Sequence, residues 1–135
     1  PGDIPELQGS RGEDRLPVAL FVGGDVGHAI ARALLPLPFE LSWIDSRDEV
    51  FPADLQAGAR CEHSDPVHRA VDGLQPGSRV LIMSFSHAED LDIVARCLLR
   101  IRQRQVTCPI GLPGIRGKQP AVIAASVVAQ LLMQA

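Results

Sequence analysis

The stretch LFVGGDVGHAIARALL, Leu20 to Leu35, joins a short apolar run to a segment with apolar residues at helical spacing. The dinucleotide-binding fingerprint G-x-G-x-x-G, laid over the junction, begins on Val22 and then meets Gly24 and Gly27. In such a turn the first glycine permits the bend, the second lets backbone approach a pyrophosphate, and the third lets helix pack on strand. Gly24 and Gly27 hold the second and third roles. Val22 cannot supply a positive φ, so Gly23 beside it is expected to absorb the bend. Asp25 places a carboxylate at the helix start, where it caps the helix and weakens phosphate binding. The turn therefore predicts strand, turn and helix, and leaves ligand binding and a purely structural use both open.

Outward from this turn the pattern alternates. VALFV (Val18 to Val22) suits a strand covered on both faces, and FELSWID gives a second strand ending at Asp45. ARCEH is a weaker third strand. DPVHRAVDGL is a short helix with Asp65 as N-cap and Pro66 in the first turn. SRVLIMSF is a fourth strand, and SHAEDLDIVARCLLRIRQ a helix with acidic residues first and arginine last. A final helix starts near Pro120. The expected fold is an α/β, Rossmann-like, doubly wound parallel sheet with helices on both faces. Residues 1–16 read as a tail or linker and residues 17–135 as the domain. One junction breaks the scheme: LLRIRQRQ runs into VTCPIGLPGIRGKQP with no fifth strand legible, which predicts a missing segment near Gln105 and Val106.

With 135 residues, 46% of them hydrophobic and 21% charged, the chain reads as a soluble globular protein with a real core. A net charge of −3 gives no pull toward nucleic acid or an anionic membrane. No apolar run reaches the roughly 20 residues of a membrane span, and the polar N-terminus does not read as a signal peptide. Cys61, Cys97 and Cys108 lack C-x-x-C spacing, so no disulfide framework or zinc knuckle is expected. A cytoplasmic, reducing home follows.

Three stretches together carry a resemblance. LFVGGDVGHAIARALLPLPFELSWIDSR, IMSFSHAEDLDIV and CPIGLPGIRGKQPAVIAASVVAQLL resemble the C-terminal domain of the xanthine dehydrogenase accessory protein (XdhC/CoxI) family. That family's loop reads F-G-A-G-H-V-G, its second strand ends W-(V/I)-D-x-R, and a later motif reads M-T-H-x-H-A-x-D. Its C-terminal signature is P-I-G-L-x-I-x-x-K-x-P-x-x-I-A-x-S. The resemblance runs from about Leu16 to Leu132. It implies a chaperone that binds molybdenum cofactor (molybdopterin), protects it during sulfuration and delivers it to a molybdenum hydroxylase such as xanthine dehydrogenase. A cysteine desulfurase and a second copy of the chain are the further partners implied. The chain departs from the family at Val22 for the first glycine, Asp25 for histidine, Phe85 for the first histidine of H-x-H, and Val122 for glutamate. The family also carries a segment of roughly 30 residues where Gln105 meets Val106, about one βα unit.

The candidate ligand-binding residues are Gly23, Gly24, Gly27, Asp45, His87, Asp90, Cys108, Gly111 and Lys118. Asp45 ends its strand about twenty residues after the glycines, where a carboxylate can hold a ribose 2′-hydroxyl or pair with Arg47. His87 and Asp90 are three apart on a helix and can share a face. His28, His63 and His68 are expected at the surface. Cys108, before Pro109, offers a soft ligand to molybdenum or a transferable sulfur, whereas Cys97 belongs to the core. Gly111, Gly114, Gly117 and Lys118 form a loop that can hold a phosphate but is no Walker A motif, since Leu112 and Gln119 occupy its key positions. No catalytic set is legible. The leading expectation is a cofactor-handling binding protein. The alternatives are an NAD(P)-binding oxidoreductase or nucleotide-sensing domain, and a scaffold that only contacts partner proteins.

Overall fold

The structure is a computed structural model, and it describes residues 15–47, 50–100, 105–108 and 119–134. Its centre is a five-stranded sheet in the order β3-β2-β1-β4-β5, with every pair parallel. The strands are β1 (Leu16–Val22), β2 (Phe39–Asp45), β3 (Arg60–His63), β4 (Arg79–Met83) and β5 (Gln105–Thr107). The helices are α1 (Gly24–Leu34), the single turn α2 (Ala53–Gln56), a 3-10 helix (Val67–Gly73), α3 (His87–Leu99) and α4 (Pro120–Gln134).

The period of two along β1 builds two cores. Val18, Leu20 and Val22 point to one face with Leu41, Trp43 and Leu81, and α1 and α4 cover them through Ile30, Leu34, Val127 and Leu131. Ala19 and Phe21 point to the other with Ile44, Val80 and Ile82, covered by α3 and the 3-10 helix through Ile93, Cys97, Val67 and Val71. A strand buried on both faces cannot alternate polar and apolar residues, which is why VALFV reads as an unbroken run. Arg96 of α3 donates to Asp72 of the 3-10 helix and holds that carboxyl below its ordinary range, tying the second face together at its rim.

Several expectations need correction. The missing segment is not there: Gln105 and Val106 are successive residues of β5 and pair with Arg79 and Val80. The fifth strand leaves no signal in the sequence because it is three residues long and carries one apolar side chain. Asp65 does not cap the 3-10 helix. Pro66 is extended at ψ 143°, so helical geometry begins only at Val67. Ser86 does cap α3, accepting from the Glu89 N–H at 3.2 Å, and α4 begins at Pro120 as expected. Among the described residues, no helix is long and apolar enough to cross a membrane.

Candidate functional site

The sequence order reverses between β1 and β4, and a doubly wound sheet opens its ligand crevice at the carboxyl ends of the strands beside such a point. A cavity of about 210 Å³ lies there. Its floor is apolar, made by Phe21, Ile44, Val67 and Ile93 at the top of the second core. Its rim is polar and follows the strand ends: Gly23 after β1, Asp45 to Arg47 after β2, and Ser84, Ser86 and Glu89 after β4.

The glycine turn works differently from the expectation. Val22 stays in the strand, fully buried, and its carbonyl accepts the Trp43 indole N–H at 3.1 Å. Gly23 remains extended at φ −94°, and its N–H reaches the Met83 carbonyl at 3.4 Å. Gly24 takes the positive φ, +62°. The bend thus moves one residue along, because Gly23 is still tied to β4. Gly27 keeps its packing role, since a Cβ there would lie 2.3 Å from the Val22 carbonyl oxygen and 3.1 Å from Trp43 Cζ2. Asp25 is exposed in the first turn of α1 and, among the described residues, has no capping hydrogen bond, so its contribution there is to the helix dipole.

Phe85 covers this turn. A Cβ at Gly23 or Gly24 would come within 2.9 or 2.8 Å of its ring, so only glycine lets the ring lie so close. Yet the residue is 75% exposed, and its ring also meets the Arg47 guanidinium, 4.9 Å from the ring centroid. Arg47 in turn holds Asp45. The Arg47 N–H donates to Oδ1 at 2.8 Å, Nε to Oδ1 at 3.2 Å and Nη2 to Oδ2 at 3.2 Å. That hydrogen bonding to Asp45 raises the Arg47 pKa above its ordinary value. Asp45, 8% exposed, is thus paired within its own turn.

The other singled-out residues are placed as follows. His87 opens α3 at the same sheet edge but is exposed and lies outside the cavity lining. Asp90 turns away from it and accepts the Ser84 N–H at 2.8 Å. Gly111 and Lys118 lie outside the described residues. His63 is exposed, as expected, but His28 is not a surface residue. It is half-buried, edge-on to Trp43 at 5.3 Å between ring centroids, and its Nε2 lies 3.3 Å from the Val50 carbonyl. Trp43 and Phe51 come from other segments, so no local pattern announces that stack. Phe85 and Glu89 were not expected at the site either. Phe85 read only as a departure from histidine, and Glu89 carries a visible signal in the S-x-x-E spacing from Ser86.

The thiols differ in reach. Burial pushes Cys97 up to about 11. Burial, aided by the nearby Asp90 carboxylate, also raises Cys108, which is exposed after β5. Neutral pH therefore leaves both as thiols. With iodoacetamide at pH 8, Cys108 is expected to react first and Cys97 only on unfolding. Because the Cys97 thiol ionises at about 9 when unfolded and about 11 when folded, stability should fall as pH rises through that window. Mapping the modified peptides, together with urea melts of Cys97→Ala at high pH, checks both statements. Labelling of native Cys97 before Cys108 would contradict them.

The fold has a solved counterpart. It is similar to a chain described as a xanthine dehydrogenase from Bacillus halodurans, with a TM-score of 0.69 and 19% identity. The match covers 88% of this chain and 44% of that one, so this chain spans less than half the length of its counterpart. At that identity the likeness is one of fold. No protein-family model matches the chain, and no curated protein matches it in sequence. Among the described residues, no group of three or more His, Cys, Asp and Glu side chains could hold a metal ion.

Proposed function

We propose that the protein is a binding protein for molybdenum cofactor, which it shields and passes to a molybdenum hydroxylase of the xanthine dehydrogenase kind. The observation that carries this reading is the convergence of the glycine turn, the Asp45–Arg47 pair and the start of α3 on one crevice. Those are the segments in which the sequence resembles the accessory-protein family, and the solved chain of similar fold is itself described as a xanthine dehydrogenase. The cargo fits the cavity in kind. The volume falls below the about 300–1,000 Å³ of sites that enclose a whole drug-sized ligand, so it suits one fused ring with its substituents outside. An apolar floor takes the face of a pterin, and a polar rim takes its edge. The cofactor phosphate would lie over Gly24 once Phe85 swings aside, at the first turn of α1, whose opening N–H groups have no acceptor within the helix.

In this reading the chain performs no turnover. Its residues orient the ring, keep water from one face and hold the anionic tail at the helix start. Sulfur supply falls to a cysteine desulfurase, and a second copy of the chain completes the expected assembly. NAD(P) is the competing ligand, and its ribose would need Asp45 to give up Arg47.

Protein purified from a molybdate-replete host decides the matter. Acid extraction and oxidation, followed by mass spectrometry, should recover a stoichiometric pterin. Recovery of NAD(P), or of no pterin, would overturn the proposal.

A further inference from the structure

The rim of the crevice carries a carboxylate that no capping bond uses. Ser86 and Glu89 stand in the S-x-x-E arrangement of a capping box, in which the glutamate folds back onto the N-cap N–H. Half of that box is formed, since Ser86 Oγ accepts from the Glu89 N–H at 3.2 Å. The other half is taken by a different residue: the Ser86 N–H donates to Ser84 Oγ at 3.1 Å. Glu89 is thereby released from capping, and among the described residues its carboxylate accepts no hydrogen bond. Glu89 lines the cavity, half-buried, on the α3 side of the rim.

Among the described residues, the other charges of the rim are already matched. Asp45 and Arg47 satisfy each other, and the Arg47 guanidinium also rests on the Phe85 ring. Among the described residues of the rim, Glu89 thus adds one negative charge beyond the Asp45–Arg47 pair, and it acts on Arg47 through space. An ionised carboxylate is an acceptor with two oxygens, and it is best met by two parallel N–H donors. A flat ring on the floor of Ile44 and Ile93, edge to the rim, meets this demand only if that edge carries adjacent donors.

The geometry points to Glu89 as the residue that selects a ring bearing a 2-amino group beside a ring N–H, the donor pair shared by pterins and guanine. This rests on the reading of the crevice as a ring-binding site and adds what that reading lacks, a group that tells one ring from another. An adenine edge, with one donor beside an acceptor, sets a lone pair against the carboxylate. Lumazine, with oxygen in place of the 2-amino group, does the same.

The test uses the full chain and fluorescence titration with pterin and lumazine, and guanosine and adenosine as the purine arm. The unmodified protein should bind pterin about tenfold or more tighter than lumazine, as for loss of one charge-assisted hydrogen bond. Glu89→Gln should weaken pterin about tenfold and bring the two rings close to equal. Guanosine tighter than pterin, with the same dependence on Glu89, would keep the donor pair and make the source a guanine nucleotide. Equal binding of pterin and lumazine by the unmodified protein, or no binding of any donor-edged ring, would overturn the inference, and so decides it even if Glu89→Gln folds poorly. Recovery of pterin from purified protein together with an unchanged ratio in Glu89→Gln would remove this role and leave the cofactor reading standing.

Discussion

Replacing Trp43 with alanine should lower the unfolding free energy by about 4 kcal/mol, the usual cost of emptying a large aromatic site in a core. Trp43 is 1% exposed and serves three elements at once. Its ring faces α1 through His28 and the loop after β2 through Phe51, at 5.3 and 5.0 Å between centroids. Its indole N–H satisfies the Val22 carbonyl at the point where β1 stops. Alanine leaves both a cavity and a buried acceptor. Trp43→Phe separates the two effects, keeping most of the packing and losing about 1 kcal/mol for the hydrogen bond. Trp43 is the sole tryptophan, so urea melts must be followed by circular dichroism rather than fluorescence. Unchanged midpoints in both variants would remove Trp43 from its place as the pin of the turn.

Gly27→Ala should cost about 3 kcal/mol, at the upper end of overpacking substitutions. The new methyl would lie 2.3 Å from the Val22 carbonyl oxygen, and backbone on both sides prevents either from yielding cheaply. α1 must then lift from β1, which would also disturb the crevice that Gly23 lines. Gly73→Ala is the matched comparison. Nothing lies within 4 Å of a Cβ there, so it should stabilise slightly, by about 0.5 kcal/mol, through the unfolded chain. If both alanines behave alike in denaturant melts, the close approach of helix to strand is not what requires Gly27.

These two residues also show what the sequence discloses. The three long strands and three long helices are legible because each buries enough surface to leave a periodic or unbroken apolar signal. The third role in the fingerprint, at Gly27, is legible too, since it depends on spacing alone. β5 is not, because Gln105 and Thr107 carry no burial signal and a single valine sets no period. The site divides in the same way. Gly23, Gly24 and Asp45 are announced by local spacing. The ring of Phe85 on Gly24, the stack of His28 on Trp43 and the release of Glu89 by Ser84 depend on partners brought together only by folding. In Asp45 the local pattern left two partners open, and Arg47, two residues on, occupies it in the structure.

Phe85 has an energetic consequence for loading. For a ring three-quarters exposed, the guanidinium contact holds it over the glycines by about 0.5–1 kcal/mol. The closed arrangement therefore outnumbers the open one by only about two- to fivefold, and the apparent affinity of any phosphate that needs the turn uncovered falls by about three- to sixfold, one plus that ratio. Exposed side chains change rotamer in picoseconds to nanoseconds, so the ring equilibrates long before a ligand diffuses in. The ring's cost therefore falls on association: only encounters that find the turn open are productive, and an anionic tail once bound leaves no faster for it.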